Sequence, residues 1–326
     1  MSESTAEDGS RKTVVAAIGA NLAIAATKFA AAFFTGSASM LAEGIHSLVD
    51  TTNEGFLLLG IHRSKRPADA MHPFGYGTEL YFWAFIIAIL IFALGSGFSL
   101  YDGIGKLVEG TGEPIEKPAV ALGVLALSFI FEGYSWRIAF GEFQKLRGGR
   151  GIIQDFRDLK DPSIFIVLCE DSAALVGILI AAAGIGLALI TGNPLFDAAG
   201  SVVIGLLLAA TAWVLAVEVK GLLIGEAASP AIVEAVREGV GRRPEIAGVN
   251  EIRTLHRGPN DVLLTMSVDF EDDILSQDIE AAVSEIEERI RTRFPIVRRI
   301  YIEVQSKAGH RSASRHLDVA MSGESA

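Results

Sequence analysis

Long runs of apolar residues dominate the first two thirds of the chain, and polar positions between them divide the runs into separate segments. A helix needs about 20 mainly apolar residues to cross a bilayer. The pattern predicts six such helices, at residues 13–34, 38–61, 79–102, 118–140, 162–190 and 195–224. The pattern is clearest for the first, third, fifth and sixth, and weaker for the second and fourth, which carry internal charge.

Beyond about residue 228 the periodicity changes to that of a water-exposed domain. Helical spacing at 232–241 and 276–294 alternates with strand-like stretches at 249–255, 262–270 and 299–304, and a turn is predicted at 257–261. The order predicts a small α+β domain of αββαβ, ferredoxin-like type. The predicted fold class is therefore an α-helical membrane protein: six transmembrane helices followed by this domain.

The predicted organisation has four parts. They are an N-terminal tail at 1–12, a six-helix transmembrane domain at 13–227, the α+β domain at 228–308, and a disordered tail at 309–326 that is rich in Ser and Gly.

Lys and Arg collect in the loops on one side of the predicted membrane. They occur at 11–12, at 62–66 and between 145 and 160, while the opposite loops at 35–37 and 191–194 carry none and the opposite loop near 106–117 has charges of both signs. Basic loops stay in the cytoplasm, so both termini and the α+β domain are expected there. The N-terminus shows no convincing cleavable signal and no organelle-targeting feature. An integral protein of the bacterial plasma (inner) membrane is the expectation.

Composition excludes several other classes of protein. Half of the 326 residues are hydrophobic and the net charge is −11, with no basic stripe to bind nucleic acid. The lone Cys169 rules out an internal disulfide. No phosphate-binding Gly-rich loop and no nucleophile–His–acid arrangement is present. The sequence therefore indicates neither an ATP-driven pump nor an enzyme, and no prosthetic group.

Ionisable residues inside the predicted second and fifth spans are the main functional signal. His46 and Asp50 are four residues apart, which stacks an imidazole over a carboxylate on one helix face. Glu170 and Asp171 lie inside the fifth span. Charged groups at this depth are costly and line ion or substrate paths, and imidazole with carboxylate suits divalent metals. The pattern predicts a transporter for a divalent metal ion.

Two motifs resemble those of the cation diffusion facilitator family. They are GSASMLAEGIHSLVD at 36–50 and RPADAMHPFGYG at 66–77. The resemblance covers nearly the whole chain, because six spans and a small cytoplasmic α+β domain are also the plan of the family. It implies a homodimer that exchanges a metal, most often zinc, for protons across the bilayer, with the cytoplasmic domain mediating dimerisation.

The resemblance also implies a transport site with two ligands from each of the second and fifth spans. His46 and Asp50 match the first half, and Asp171 matches one ligand of the second half. Val167 stands where the family has His, and Glu170 marks a branch with a Glu-Asp pair. Glu170 is a metal ligand, a proton carrier or a helix contact. This oxygen-rich set leaves zinc as first choice and Mn or Fe as the alternative.

Other polar residues have alternative interpretations. Glu43, Asn53 and Glu54 extend the polar face of the second span, as path-lining or as interhelical groups. Lys28, in the first span, is expected to neutralise a carboxylate such as Asp50, or to reach the membrane surface.

Two further places correspond to metal sites of relatives. Asp69 and His72 lie in the loop after the second span, where Tyr76 replaces an expected ligand, so ordinary hydrogen bonding is favoured there. In the α+β domain, Asn250, Ser267 and Glu303 stand at ligand positions, and His256 is expected at the surface.

A second class of function stays open, a membrane-anchored metal-binding regulator without net transport.

Overall fold

The computed structural model describes residues 21–110, 115, 117–146, 151 and 160–313. The chain divides into two compact units, residues 1–220 and 221–326. The predicted N-terminal tail and the beginning of the first span lie outside the described residues, as does the end of the chain from residue 314.

The described part of the first unit has six helices at the places that the apolar runs predict. They are α1 (Asn21–Thr35 in its described part), α2 (Ala38–Ser64), α3 (Glu79–Glu109), α4 (Pro118–Leu146), α5 (Pro162–Thr191) and α6 (Leu195–Ile224). By length and composition, α3 to α6 can each cross a membrane. The 27 residues of α2 are long enough but carry the polar stripe. The fold class predicted from the sequence is confirmed.

Local sequence explains where these helices begin and end. At the start of α2 the Ser37 side chain accepts a hydrogen bond from the Met40 N–H at 3.1 Å. Asp161 caps α5 in the same way through the Ser163 N–H at 2.9 Å. Gly110 and Gly192 follow α3 and α5 with positive φ angles of 64° and 68°. Glycine adopts this left-handed conformation without the Cβ clash that other residues suffer.

The helices bury small and aliphatic side chains and expose large apolar ones. Fully buried positions include Met40, Ala84 and Ile166, while Phe33 and Trp213 are mostly exposed. A water-soluble protein rarely exposes so much apolar surface, so this distribution fits a bundle whose outer face contacts lipid.

Helices α3 and α6 approach closely because glycines lie at their contact. A Cβ on Gly103 would come within 2.7–3.0 Å of Val202 and of the Ala198 carbonyl oxygen. Gly205 allows the same approach toward Leu100. Such small residues permit close helix packing in lipid. One turn of α3, Ile91–Ser96, is π-helical and buries Gly95 and Ser96.

In its described part, the second unit has two helices that pack on a three-stranded sheet, followed by a short helix at 307–313. Its elements are α7 (Pro230–Gly241), β1 (Ile246–Gly258), β2 (Asp261–Phe270), α8 (Ser276–Arg293) and β3 (Val297–Val304). The strand order is β1-β2-β3, with β1 antiparallel and β3 parallel to β2. Alternate residues of β2, such as Leu264 and Val268, form a core with Ile286 and Ile290 of α8. This order is the αββαβ arrangement predicted from the sequence.

Two details differ from the sequence-based expectation. Strand β1 extends to Gly258, so the chain reverses in the two residues Pro259 and Asn260 rather than over 257–261. Residues 307–313 are helical, and this helix crosses the predicted boundary at 309 between the α+β domain and the tail. Ser306 accepts a hydrogen bond from the Gly309 N–H at 3.2 Å, a helix-capping contact that explains this last helix.

Gly103→Ala should destabilise the first unit by about 1–3 kcal/mol, because the new methyl group meets backbone atoms of α6 that cannot move aside. The matched control is Gly105→Ala in the same helix, where no atom lies within 4 Å of the added Cβ. The control should be neutral or slightly stabilising. Thermal unfolding of the purified chain in detergent measures both, and equal midpoints would contradict the close α3–α6 contact.

Candidate metal-transport site

The N-terminus of α2 is held by the side chain of Asp197 at the start of α6. Its carboxylate accepts hydrogen bonds from the Ser37 hydroxyl at 2.8 Å, the Ala38 N–H at 2.6 Å and the Ser39 N–H at 3.4 Å. Asp197 is buried. A carboxylate here satisfies N–H groups that have no partner within the helix and complements the helix dipole. The helix that carries His46 and Asp50 is therefore fixed at one end.

His46 and Asp50 form the stacked pair that their spacing predicts. The distance from His46 Nδ1 to Asp50 Oδ1 is 3.4 Å, and His46 is only 2% exposed. Within the described part of the chain, neither ring nitrogen of His46 has a hydrogen-bond partner. Oδ1 of Asp50 has none there either. Buried polar atoms without partners are rare, so these atoms are available to a ligand.

Glu170 and Asp171 of α5 face different neighbours. Glu170 is buried and accepts a hydrogen bond at 2.7 Å from the side-chain amide of Asn53 in α2. Asp171 is hydrogen-bonded to Ser135 of α4, and its Oδ2 has no partner among the described residues. The carboxylate of Glu170 therefore contacts α2, whereas that of Asp171 contacts α4.

The His46–Asp50 pair of α2 and the Glu170–Asp171 pair of α5 are neighbours, but their side chains do not converge on one metal position. Asp50 lies near enough to Glu170 and Asp171 for their charges to interact. Among the described residues, however, no group of three or more His, Cys, Asp or Glu side chains is arranged to hold a metal ion. In this conformation His46 and Asp50 form one pair of donors, and Glu170 and Asp171 form a second pair on α5.

Further polar contacts continue the stripe toward both ends of α2. Asn21 of α1 donates to Glu54 at 2.7 Å. Lys28 donates to Glu43 at 3.2 Å and to Ser47 at 2.7 Å, and it lies 3.9 Å from Glu132. The expectation that Lys28 would neutralise a carboxylate holds for Glu43. Asp50, the partner named from the sequence, is not the one it bonds.

Three polar residues at these contacts escaped the sequence analysis. Glu132 lies inside the predicted fourth span, and its charge alone was a signal, because ionisable residues within spans are rare and functional. Asp197 lies at the start of the predicted sixth span and carried the same signal, whereas Ser135 carried none. Their roles depend on which helix lies next to them.

The loop after α2 makes ordinary hydrogen bonds. Oδ1 of Asp69 accepts from the N–H groups of Met71 and His72, and Oδ2 accepts from the Tyr76 hydroxyl at 2.7 Å. The Tyr76 hydroxyl, followed by the His72 N–H, lowers the pKa of Asp69. Both carboxylate oxygens already have partners, which agrees with the interpretation favoured from the sequence.

The positions that correspond to metal ligands in the α+β domain do come together. Asn250 donates to Ser267 at 3.4 Å and to the Gln305 carbonyl at 2.8 Å, and Glu303 is paired with Ser267 in register. The amide and hydroxyl therefore bond to each other. His256 was expected at the surface, and this was wrong: it is buried beside the turn after β1, with Nδ1 3.4 Å from the Gly258 carbonyl.

Family comparisons support the motif-based interpretation. The family model for the cation efflux transmembrane domain matches residues 14–224. The chain belongs to the cation efflux family. A second model, for the cytoplasmic domain of cation efflux proteins, matches residues 228–307. The resemblance drawn from the two motifs is confirmed, and the family is one of transporters rather than enzymes.

Individual relatives show how far the similarity extends. The human "Proton-coupled zinc antiporter SLC30A9, mitochondrial" is 34% identical over 288 residues, which is 86% of this chain and 50% of that protein. "Metal tolerance protein C4" of Arabidopsis thaliana is 31% identical over 271 residues, covering 82% and 59% respectively. The chain thus spans about half the length of the human relative. A solved nickel form of the MamM CTD covers 24% of this cation efflux protein at 13% identity, with a TM-score of 0.23.

Asp197→Ala should lower the thermal stability of this cation efflux protein. The Ala38 and Ser39 N–H groups lose their acceptor at the end of the helix that carries His46, and each buried group left unpaired costs about 1–3 kcal/mol.

The matched control is Asp161→Ala, which removes the single cap bond of α5 and should cost about 1 kcal/mol. Thermal unfolding of the purified protein in detergent measures both variants. An Asp197→Ala protein that melts no lower than the control would show that α2 does not depend on this contact.

Proposed function

We propose that this chain is a secondary active transporter that exports a divalent metal cation from the cytoplasm in exchange for protons, with zinc as the first candidate. The observation that carries the proposal is the buried His46–Asp50 pair at 3.4 Å beside the acidic pair of α5. Both ring nitrogens of His46 and Oδ1 of Asp50 have no hydrogen-bond partner among the described residues. The names of the human and plant relatives, a zinc antiporter and a metal tolerance protein, point the same way.

In this proposal the ligands of the transported ion are His46, Asp50, Asp171 and Glu170. A divalent ion would draw the two pairs of donors together from α2 and α5, where they now lie side by side. A site that closes only around its ion suits transport, because the free and loaded forms then differ in helix positions. Rocking of helix bundles around such a site gives alternating access to the two sides.

Proton exchange follows from the chemistry of these ligands. Imidazole and carboxylate must lose their protons before they bind a metal ion, so loading the site releases protons and unloading takes them up. A proton gradient can therefore drive metal release. Each transported ion passes through the site without any covalent step.

Manganese or iron is the second candidate cargo. The donor set has one imidazole against the carboxylates of Asp50, Glu170 and Asp171, and the free Oδ1 of Asn53 adds another oxygen. Closed tetrahedral zinc sites are richer in nitrogen or sulfur, whereas oxygen ligands suit harder ions such as Mn²⁺.

The remaining parts of the proposal concern placement and assembly. The side with the basic loops is taken as the cytoplasm, so both termini lie there and the ion leaves toward the start of α2. The membrane is taken to be the bacterial plasma membrane. The human relative is named as mitochondrial, so direct localisation of a tagged chain decides this point. The protein works as a homodimer, with the α+β domain providing the contact.

Asp50→Ala should reduce metal uptake to the background of empty liposomes, because the ion loses a ligand that no other α2 carboxylate replaces. Full-length protein is reconstituted under an imposed pH gradient, and uptake of Zn²⁺, Mn²⁺ and Fe²⁺ is compared. Asp102→Asn is the matched control, since Asp102 is an acidic residue of α3 that pairs with Lys106 at 2.9 Å. Normal uptake by folded, dimeric Asp50→Ala would exclude the proposed site, and binding without net flux in the parent protein would favour a regulator.

Glu170→Gln separates a ligand from a helix contact. Glutamine keeps an oxygen that can accept from Asn53, so a purely structural role predicts unchanged transport. A ligand role predicts a change in the order of preference among Zn²⁺, Mn²⁺ and Fe²⁺, because one anionic donor is lost. The metal panel that tests Asp50→Ala measures this outcome directly.

A further inference from the structure

Lys28 is a lysine buried completely among membrane-spanning helices. Its side chain and that of Glu43 are both 0% exposed, and their ion pair measures 3.2 Å. The same ammonium group bonds Ser47 at 2.7 Å and lies 3.9 Å from Glu132. One cation thus joins α1, α2 and α4. Such a group is expensive to bury, and the proposed ligand set does not use it.

The position of this ammonium group relative to the transport site is set by helix geometry. Glu43, His46, Ser47 and Asp50 follow one face of α2 at intervals of three and four residues. Lys28 bonds the residues on both sides of His46, namely Glu43 and Ser47. Its charge therefore lies about one helical turn, roughly 5 Å along the axis, from the His46–Asp50 pair.

Packing keeps the Lys28–Glu43 pair in this place. Oε1 of Glu43 occupies the space that a Cβ on Gly177 of α5 would need, so this glycine makes room for the carboxylate. Lys28 thus has its partners fixed from α2, α4 and, through Glu43, α5. A cation held this firmly acts on its surroundings as a constant charge.

A constant positive charge beside a cation site weakens cation binding. Opposite and like charges interact strongly where water is excluded, and the interaction doubles for a divalent ion. A transport site must bind its ion firmly enough to load and weakly enough to release it. With six carboxyl groups in the polar region of α2, α4 and α5 (Glu43, Asp50, Glu54, Glu132, Glu170 and Asp171), release is the harder requirement.

We propose that Lys28, held by Glu43 and Glu132, is a positioning residue that lowers the affinity of the transport site so that the metal ion can leave. This inference rests on the proposed function, because it assigns a role within the same transport site. Glu43 and Glu132 are the counter-charges that set the strength of the effect.

Three variants separate this role from a structural one. Lys28→Met removes the positive charge and should lower both KM and kcat for metal uptake, each by roughly tenfold. Glu43→Gln leaves Lys28 less compensated and should raise KM by a similar factor. The double variant Lys28→Met/Glu43→Gln restores the original net charge of this cluster and should have a KM near that of the parent protein.

The measurements are proton-driven uptake by liposomes and equilibrium titration of the purified protein with Zn²⁺ and Mn²⁺. A merely structural role would reduce stability and kcat without the opposite shifts in KM. Unchanged or raised KM in Lys28→Met, or shifts of the same sign in both single variants, would overturn the proposal. If Lys28→Met does not fold, Glu43→Gln and the double variant decide: an unchanged KM in Glu43→Gln overturns it.

The two proposals fail in different ways. Absence of flux by the parent protein refutes the transporter function, while the order of affinities among the variants still tests Lys28 by titration. Flux by the parent protein without that order of affinities refutes only the role of Lys28. Lys28→Arg, which keeps the charge, should retain the KM of the parent protein.

Discussion

The burial of charge among membrane-spanning helices is the constraint on which the rest of this structure depends. A carboxylate within a bilayer needs a cation, a proton or hydrogen-bond donors. In the described residues each buried carboxyl group of α2, α4 and α5 is placed beside such a partner or beside another carboxyl group. The Lys28 ammonium pairs with Glu43 and Glu132. The Asn21 amide donates a hydrogen bond to Glu54, and the Asn53 amide donates one to Glu170. The groups left with free oxygens, above all Asp50 and Asp171, are those with most to gain from a bound cation.

Close packing makes this polar interior possible. Gly177 lets the carboxylate of Glu43 lie against α5, and Gly103 and Gly205 bring α3 and α6 into backbone contact. Asp197 holds the beginning of α2 through three hydrogen bonds. The polar face of α2 is therefore held from several sides, while the outer surfaces carry large apolar side chains toward lipid. Polar groups and small residues act together here, since neither could hold the helices at these distances alone.

The sheet of the α+β domain brings together the positions that correspond to metal ligands in relatives, but here these positions carry Asn, Ser and Glu. Asn250, Ser267 and Glu303 lie on neighbouring strands, so the arrangement that brings such positions together is intact. The amide and hydroxyl bond to each other and to the Gln305 carbonyl. These bonds link β1 to β2 and to the residue that follows β3, and the domain has a core of apolar residues that includes Leu264, Val268 and Ile286.

Sequence alone determined the features that depend on short-range spacing. Apolar run length predicted the six helices, the alternation after residue 228 predicted the three strands, and the four-residue spacing predicted the His46–Asp50 pair. Only the tertiary structure decided that Glu170 faces Asn53, that Lys28 pairs with Glu43 and Glu132 rather than Asp50, and that Asp197 caps α2. The reason is physical. Periodicity within one helix places residues on a common face, but the rotation and neighbours of that helix are set by side-chain packing between segments far apart in the chain.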